Sequence, residues 1–369
     1  MKLTSLISIL LIGVLSAEEK ITFNKHIRPI LSDKCYFCHG PDAAEIKGKL
    51  QLHTLELATS DRDGEGAAIV PGDGEKSLLW ARITTEDEEE IMPPPERHSK
   101  LTKKEVETLR KWIESGAEYE ELWSFQPLPK VVEVPAESSD SARNEIDAFV
   151  QQALKSEGLK PAKEADPDVL LRRLHLSLTG IVPTAEQIAE FKADKSDKAY
   201  ENLVDKLLKS QAFAERLAVD WMDLARYADS YGYQTDKPRS VWLWRDWVLR
   251  SFQKNIRYDQ FVLQQLAGDM MPNSDDEMKL ATAFNRLHMQ KNEGGSTPEE
   301  FRVEYVADRT QTAATAFLGL TMECCRCHDH KYDPISQKDY FSTFAFLTTL
   351  MRRGSIPFSR MRYRVRVCR

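Results

Sequence analysis

The chain has 369 residues, 41% of them hydrophobic and 30% charged, with a formal net charge of −7. This is a globular composition with length for two domains, which excludes a fibrous or disordered chain. The acidic balance argues against nucleic acid as the main partner. Past the N-terminus no run of eighteen apolar residues exists, so no membrane span is expected after signal cleavage.

The chain opens with Met1-Lys2-Leu3, an apolar run from Leu6 to Leu15, and then Ser16-Ala17-Glu18-Glu19. A short positive stretch, an apolar core and a small-residue cleavage site form the pattern of an export signal over residues 1–17. The alternative is a buried N-terminal strand. No Cys lies at the cleavage site, so no lipid anchor is expected. The mature protein is expected to begin near Glu18, in the periplasm or outside the cell.

Six cysteines follow: Cys35, Cys38, Cys324, Cys325, Cys327 and Cys368. Export permits disulfides, but the spacing points elsewhere. Cys35-Tyr36-Phe37-Cys38-His39 is one CxxCH, and Cys324-Cys325-Arg326-Cys327-His328 is another. Two thiols three positions apart can form thioethers to the two vinyl groups of one haem, and the adjacent His can bind its iron. Haem c at one or two sites is therefore expected. Zinc would want two Cys pairs near one another, or a Cys pair with a His pair. A redox dithiol would want a βαβ setting. Cys325 offers the second motif a competing disulfide or metal geometry.

Around the first motif, residues 18–126 read as a small helical domain. Phe23-Asn24-Lys25-His26-Ile27-Arg28-Pro29-Ile30 precedes the motif as a short helix. Met92, held between Ile91 and three prolines, is the expected distal ligand, because proline restricts the backbone that presents its thioether. His26, His53 and His98 are rival ligands, and a Met92 that merely packs in a loop is the plain alternative. Val106, Leu109, Trp112 and Ile113 fall at helical spacing, and Gly116 is positioned to end that helix. This closing helix is expected to pack on the N-terminal one.

Residues 127–145 are rich in proline and polar side chains and read as a linker. Residues 146–350 are expected to form a larger, mainly α-helical domain. Ile146, Phe149, Val150 and Leu154 share one face. Val169, Leu170, Leu174 and Leu178 share a second, closed by Gly180 and Pro183. Thr184 is placed to cap the next helix, with Glu186 and Gln187 in its first turn. Leu203, Leu207 and Leu208 follow, then a helix from Phe213 towards Tyr227.

The middle of this domain mixes aromatic and charged residues: Trp221, Tyr227, Trp242, Trp244 and Trp247 among Asp220, Asp223, Asp229, Arg216, Arg226 and Arg245. The plain reading is a helical core ringed by salt bridges. The sharper reading is a pocket in which Asp220, Asp223, Asp229, His288 and Glu293 serve as acid–base candidates. Asn292-Glu293-Gly294-Gly295 suits a tight turn near a ligand. For a second haem, His288 and Met289 are distal-ligand candidates, and His330 is a further one. A Trp-rich stretch that stacks sugar rings is a third possibility.

These residues together resemble a planctomycete-type arrangement, a cytochrome c domain followed by a DUF1549 domain. The resemblance rests on Phe23 to Leu31, Cys35 to Asp42, Met92-Pro93-Pro94, Trp112-Ile113 and Trp123 to Leu128 in the first part. In the second it rests on Arg172-Arg173-Leu174, Leu178-Thr179-Gly180, Asp220-Trp221, Arg226 to Asp229, Glu293-Gly294-Gly295 and Cys327 to Ile335. It covers roughly residues 20–347. It implies haem c at Cys35, Cys38 and His39, with Met92 as sixth ligand, and a second haem at Cys324, Cys327 and His328. It implies electron exchange with a redox protein partner, and a link to polysaccharide breakdown is its further suggestion. Such chains usually continue into a DUF1553 domain. Here Met351 to Arg369 is instead an arginine-rich tail without acidic residues. The abrupt change is read as truncation or frameshift, with an anion-binding tail as the alternative.

Overall fold

Phe23, Ile27 and Leu31 recur four residues apart and are buried, the stripe expected of a helix packed on one face. In the computed structural model, which describes residues 20–42, 45–61, 64–97, 99–135, 142–233, 235–291, 294–295 and 297–348, that stripe starts the fold. A π-helical turn, Phe23–Ile27, runs into α1 (Arg28–Lys34), and α2 (Tyr36–His39) follows at once. After α3 (Leu55–Thr59) and α4 (Leu78–Thr84), α5 (Lys103–Glu114) closes this part. A capping box starts α5: the Thr102 hydroxyl accepts from Glu105 N, and Glu105 accepts from Thr102 N. Gly116, two residues past its end, has φ +108, a conformation that favours glycine.

The N-terminal and closing helices meet as the spacing predicts. The Phe23 ring lies 5.7 Å from Trp112 and 4.4 Å from Tyr119. Trp112 Nε1 donates to Glu118 O at 3.0 Å, so its buried polar atom is satisfied. Asn24 N donates to Glu120 Oε2, and Arg28 donates to Glu120 O. These bonds tie the first helix to the segment after the last.

The larger part is also helical: α6 (Glu145–Ser156), α7 (Pro167–Thr179), α8 (Ala185–Ala193), α9 (Ala199–Leu208), α10 (Gln211–Leu224), α11 (Trp242–Gln253), α12 (Tyr258–Ala267), α13 (Asp276–Ala281), α14 (Pro298–Ala313) and α15 (Gln337–Thr348). No strand occurs among the described residues, only isolated bridges. The chain is mainly α, as its periodicity predicts. Thr184 caps α8 in a capping box with Gln187. Gly180 ends α7 at φ +71.

Two apolar faces differ from their prediction. On α6, Ile146 is 72% exposed and Val150 is 51% exposed, while Ala148 is buried. Periodicity marks a face that wants a partner but does not supply one. On α7 the buried positions are Leu171, Leu174, His175 and Thr179, and Val169 is exposed. The aromatic middle is core: Trp244 and Trp247 are buried, with Trp247 stacked on Phe261 at 5.5 Å.

The chain resolves into two compact units. One is the N-terminal part to Leu128 together with Cys327–Ser336. The other holds Pro129–Arg326 and the chain from Gln337 onward. No helix among the described residues is long and apolar enough to cross a membrane. The N-terminal signal and the arginine-rich tail lie outside the described residues.

Candidate functional site: a cavity at the first CxxCH

The first motif sits on a short helix entered directly from α1. Cys35 N donates to Leu31 O, and His39 N donates to Cys35 O at 2.9 Å, so one turn carries all three motif side chains. Gly40 ends the turn against the Tyr36 carbonyl, and a Cβ there would collide with that oxygen. The segment after the motif then folds back: Leu52 N donates to His39 O at 2.7 Å.

His39 Nδ1 lies 3.3 Å from Leu50 O. A carbonyl oxygen only accepts, so Nδ1 carries the proton and the lone pair falls on Nε2. This is the tautomer a ligating histidine needs, fixed by a backbone partner.

A cavity of about 570 Å³ opens beside the motif, lined by Cys35, Cys38, His39, Met92 and Pro93. Leu50, Leu52, Ala68, Leu79 and Ile83 supply apolar wall. The volume is that of a cofactor pocket, which is typically about 300–1,000 Å³ and mostly apolar. Met92 is anchored by its own backbone, with N donating to Arg82 O at 2.9 Å. Burial pushes the Cys35 thiol up to about 12, with Asp33 and Cys38 adding to the rise. It is therefore a thiol at neutral pH rather than a thiolate open to stray oxidation. Two thiols, an imidazole with its lone pair on Nε2 and a thioether in one apolar cavity fit a haem c.

Of the rival histidines, His26 and His53 do not line this cavity. His26 Nδ1 accepts from Thr22 N at 3.0 Å. Burial, with the Arg28 charge, lowers the His53 pKa. His98 lies outside the described residues.

At the second motif, Cys324 and Cys327 are exposed and Cys325 is fully buried. None of the five described cysteines is in a disulfide, and Cys368 lies outside the described residues. The turn Glu323–Arg326 is a 3-10 helix, unlike the α-helical turn of the first motif. His328 Nδ1 lies 2.7 Å from Asp329 O and 3.4 Å from Asp42 Oδ2. Its lone pair is thus also on Nε2. His330 is buried, and its Nδ1 accepts from Asp333 N at 2.9 Å and Tyr332 N at 3.3 Å. Those bonds knit the loop from His330 to Ile335.

In the helical unit the carboxylate candidates stand apart from any buried centre. Asp220 is exposed in a helical pair with Arg216, and Asp223 is exposed. Asp229 accepts from Tyr227 Oη at 2.6 Å. Arg226 and Arg245 pair with Asp308 and Asp246 instead of these acids. Glu293 lies outside the described residues. Met289 is 54% exposed.

The buried polar centre is built from other residues. Arg309 Nε donates to Asn285 O at 2.6 Å, and Arg309 Nη2 donates to His288 Nε2 at 2.9 Å. His288 Nδ1 donates to Met289 O at 2.9 Å, and its ring stacks on Tyr305 at 4.5 Å. Arg239 donates to the carbonyls of Leu287 and His288. Sequence reading missed Arg239 and the role of Arg309. The available signal was spacing: Arg309 follows buried Val306 by three positions, on the same face of α14.

Burial depresses the His288 pKa to about 3, helped by the Arg309 charge. His288 is neutral in the folded chain, while the unfolded chain gains its proton below about pH 6.5. The stability it contributes is therefore complete above pH 6.5 and lost as pH falls towards 3. That loss amounts to something on the order of 4 kcal/mol. Denaturant titrations of the wild type and His288→Gln between pH 7 and pH 3.5 check this: the variant should show a shallower dependence on pH. Equal slopes would remove the assignment.

Comparison with known families gives first the class. A family model described as Planctomycete cytochrome C matches residues 35–96, the region that builds the cavity. That stretch is similar to a c-type cytochrome domain, a class that binds haem c. A second model, described as a protein of unknown function (DUF1549), matches residues 145–352, more than half of the sequence, and the chain belongs to that family. It matches no curated protein and no solved structure.

Proposed function

We propose that this protein is an exported electron carrier whose first haem would be attached at Cys35 and Cys38 and held by His39 and Met92. The carrying observation is that one apolar cavity is lined by all four side chains. The bound haem supplies a one-electron iron couple. The chain's own residues then decide what that couple is used for. The Leu50 carbonyl orients His39 through Nδ1, and the backbone bond to Arg82 holds Met92 at the cavity. With His39 and Met92 both holding it, the group would serve electron exchange with a redox protein partner. The signal-like N-terminus supports export to the periplasm or beyond, where covalent attachment keeps the cofactor from being lost.

The reading extends to a second haem at Cys324, Cys327 and His328. Two exposed free thiols three positions apart and a His with its lone pair on Nε2 support it. A carbohydrate-directed enzyme in the helical unit is less well supported, because Asp220, Asp223 and Asp229 are exposed and His288 is held by Arg309.

Carbon monoxide tests the carrier reading. With the reduced protein at neutral pH, the signal that disappears in Cys35→Ala/Cys38→Ala should be unchanged by the gas. Rapid binding at that site would show an open iron position and contradict the reading.

A further inference from the structure

Phe37 stands between the two cysteines of the first motif, 39% exposed at the cavity. Two cations cover its ring. The Arg97 guanidinium lies 3.3 Å from the ring centroid and the Lys331 ammonium 4.1 Å from it. Arg97 also donates to Cys38 Sγ at 3.7 Å. Lys331 and Tyr332 line the cavity itself, with Arg97. Two other cations of this wall are paired: Lys34 with Asp33 at 2.7 Å, and Arg82 with Glu90 at 3.5 Å; Lys47 also lines it. Neither Arg97 nor Lys331 pairs with a carboxylate among the described residues.

Lys331 reaches this place because its loop is held. His330 N donates to Ile335 O at 2.8 Å, Ile335 is buried, and His330 Nδ1 takes two backbone N–H groups. His328 Nδ1 lies 3.4 Å from Asp42, which is itself buried three residues after His39. The loop lies within the stretch matched by the family of unknown function, yet it packs in the compact unit of the cytochrome region.

We propose that Lys331 and Tyr332 form part of the first haem site and that Lys331, with Arg97, sets the reduction potential there. This rests on the haem assignment made above. Loss of an electron leaves the iron centre one charge more positive. A cation beside it that no carboxylate neutralises disfavours that oxidised form and raises the potential. Lys331 is a positioning and tuning residue: it is assigned no contact with iron.

The test is a potentiometric titration of full-length protein made with c-type maturation, following the signal that Cys35→Ala/Cys38→Ala removes. Lys331→Gln should keep its haem content and shift the equilibrium towards the oxidised form by about threefold to tenfold. Tenfold corresponds to about 59 mV for one electron. Lys331→Arg should stay close to the wild type, Arg97→Gln should shift in the same direction, and added salt should shrink both shifts. A fully loaded Lys331→Gln protein at the wild-type potential would overturn the inference while leaving the haem assignment intact. Wild-type protein without haem at the first motif would overturn both.

Discussion

Met92→Ala will keep the first haem covalently attached and lower its potential by an appreciable share of the roughly 0.8 V that axial ligands span. In the proposed site the two thioethers would come from Cys35 and Cys38, so attachment would not depend on Met92. Met92 lines the cavity, and as the proposed sulfur ligand it would favour the reduced iron and raise the potential. Its position is fixed from the backbone, through the bond from Met92 N to Arg82 O, and alanine leaves that anchor in place. The variant should therefore lose the sulfur-to-iron charge-transfer band and become accessible to carbon monoxide. Met92→His should restore a closed site at a lower potential than the wild type. A Met92→Ala protein with the wild-type spectrum and potential would show that another group is the sixth ligand.

The second large effect belongs to the helical unit and needs no haem. Arg309→Ala should cost about 3–5 kcal/mol of stability, the range for removing one partner from a buried charged network. Arg309 is 4% exposed, and its guanidinium serves Asn285 O and His288 Nε2 together. Its loss strands both acceptors in the interior, and each unsatisfied buried group carries a penalty of about 1–3 kcal/mol. The network continues: Asn285 Nδ2 donates to Gln265 O, and Trp221 Nε1 donates to Gln265 Oε1, so α10, α12 and α14 are all affected. Burial and the Arg226 and Arg286 charges push the Arg309 pKa down to about 10, so it remains charged at neutral pH. Arg309→Met keeps volume but donates nothing, and should lie between alanine and the wild type. Denaturant midpoints of the three proteins check the order. An Arg309→Ala midpoint within experimental error of the wild type would remove the network's structural role.

Much of the first unit is legible in the sequence because its signals are local. CxxCH places two thiols and an imidazole on one turn. Phe23, Ile27 and Leu31 mark a packed face, and Val106 to Ile113 mark the closing helix. The helical unit is legible as helices but less so as faces. The apolar positions of α6 are periodic, yet Ile146 and Val150 are exposed, since periodicity records a pattern and not a neighbour. The polar centre was hidden for a different reason. Arg226 meets Asp308, and Arg239 reaches Leu287 and His288, across separations that no spacing rule covers. Charged residues are also read first as surface. Lys331 over Phe37 is the extreme case: the contact depends on the loop from His330 to Ile335 folding on itself and joining the first unit.

The central claim is covalent haem at the first motif. Intact mass with a pyridine haemochrome assay, on full-length protein from a host with c-type maturation, tests it most directly. Two haems per chain are predicted, falling to one in Cys35→Ala/Cys38→Ala and to one in Cys324→Ala/Cys327→Ala. A single haem that survives only in the latter variant would keep the first site and remove the second. Wild-type protein without covalent haem, or Cys35→Ala/Cys38→Ala with undiminished haem, would contradict the account.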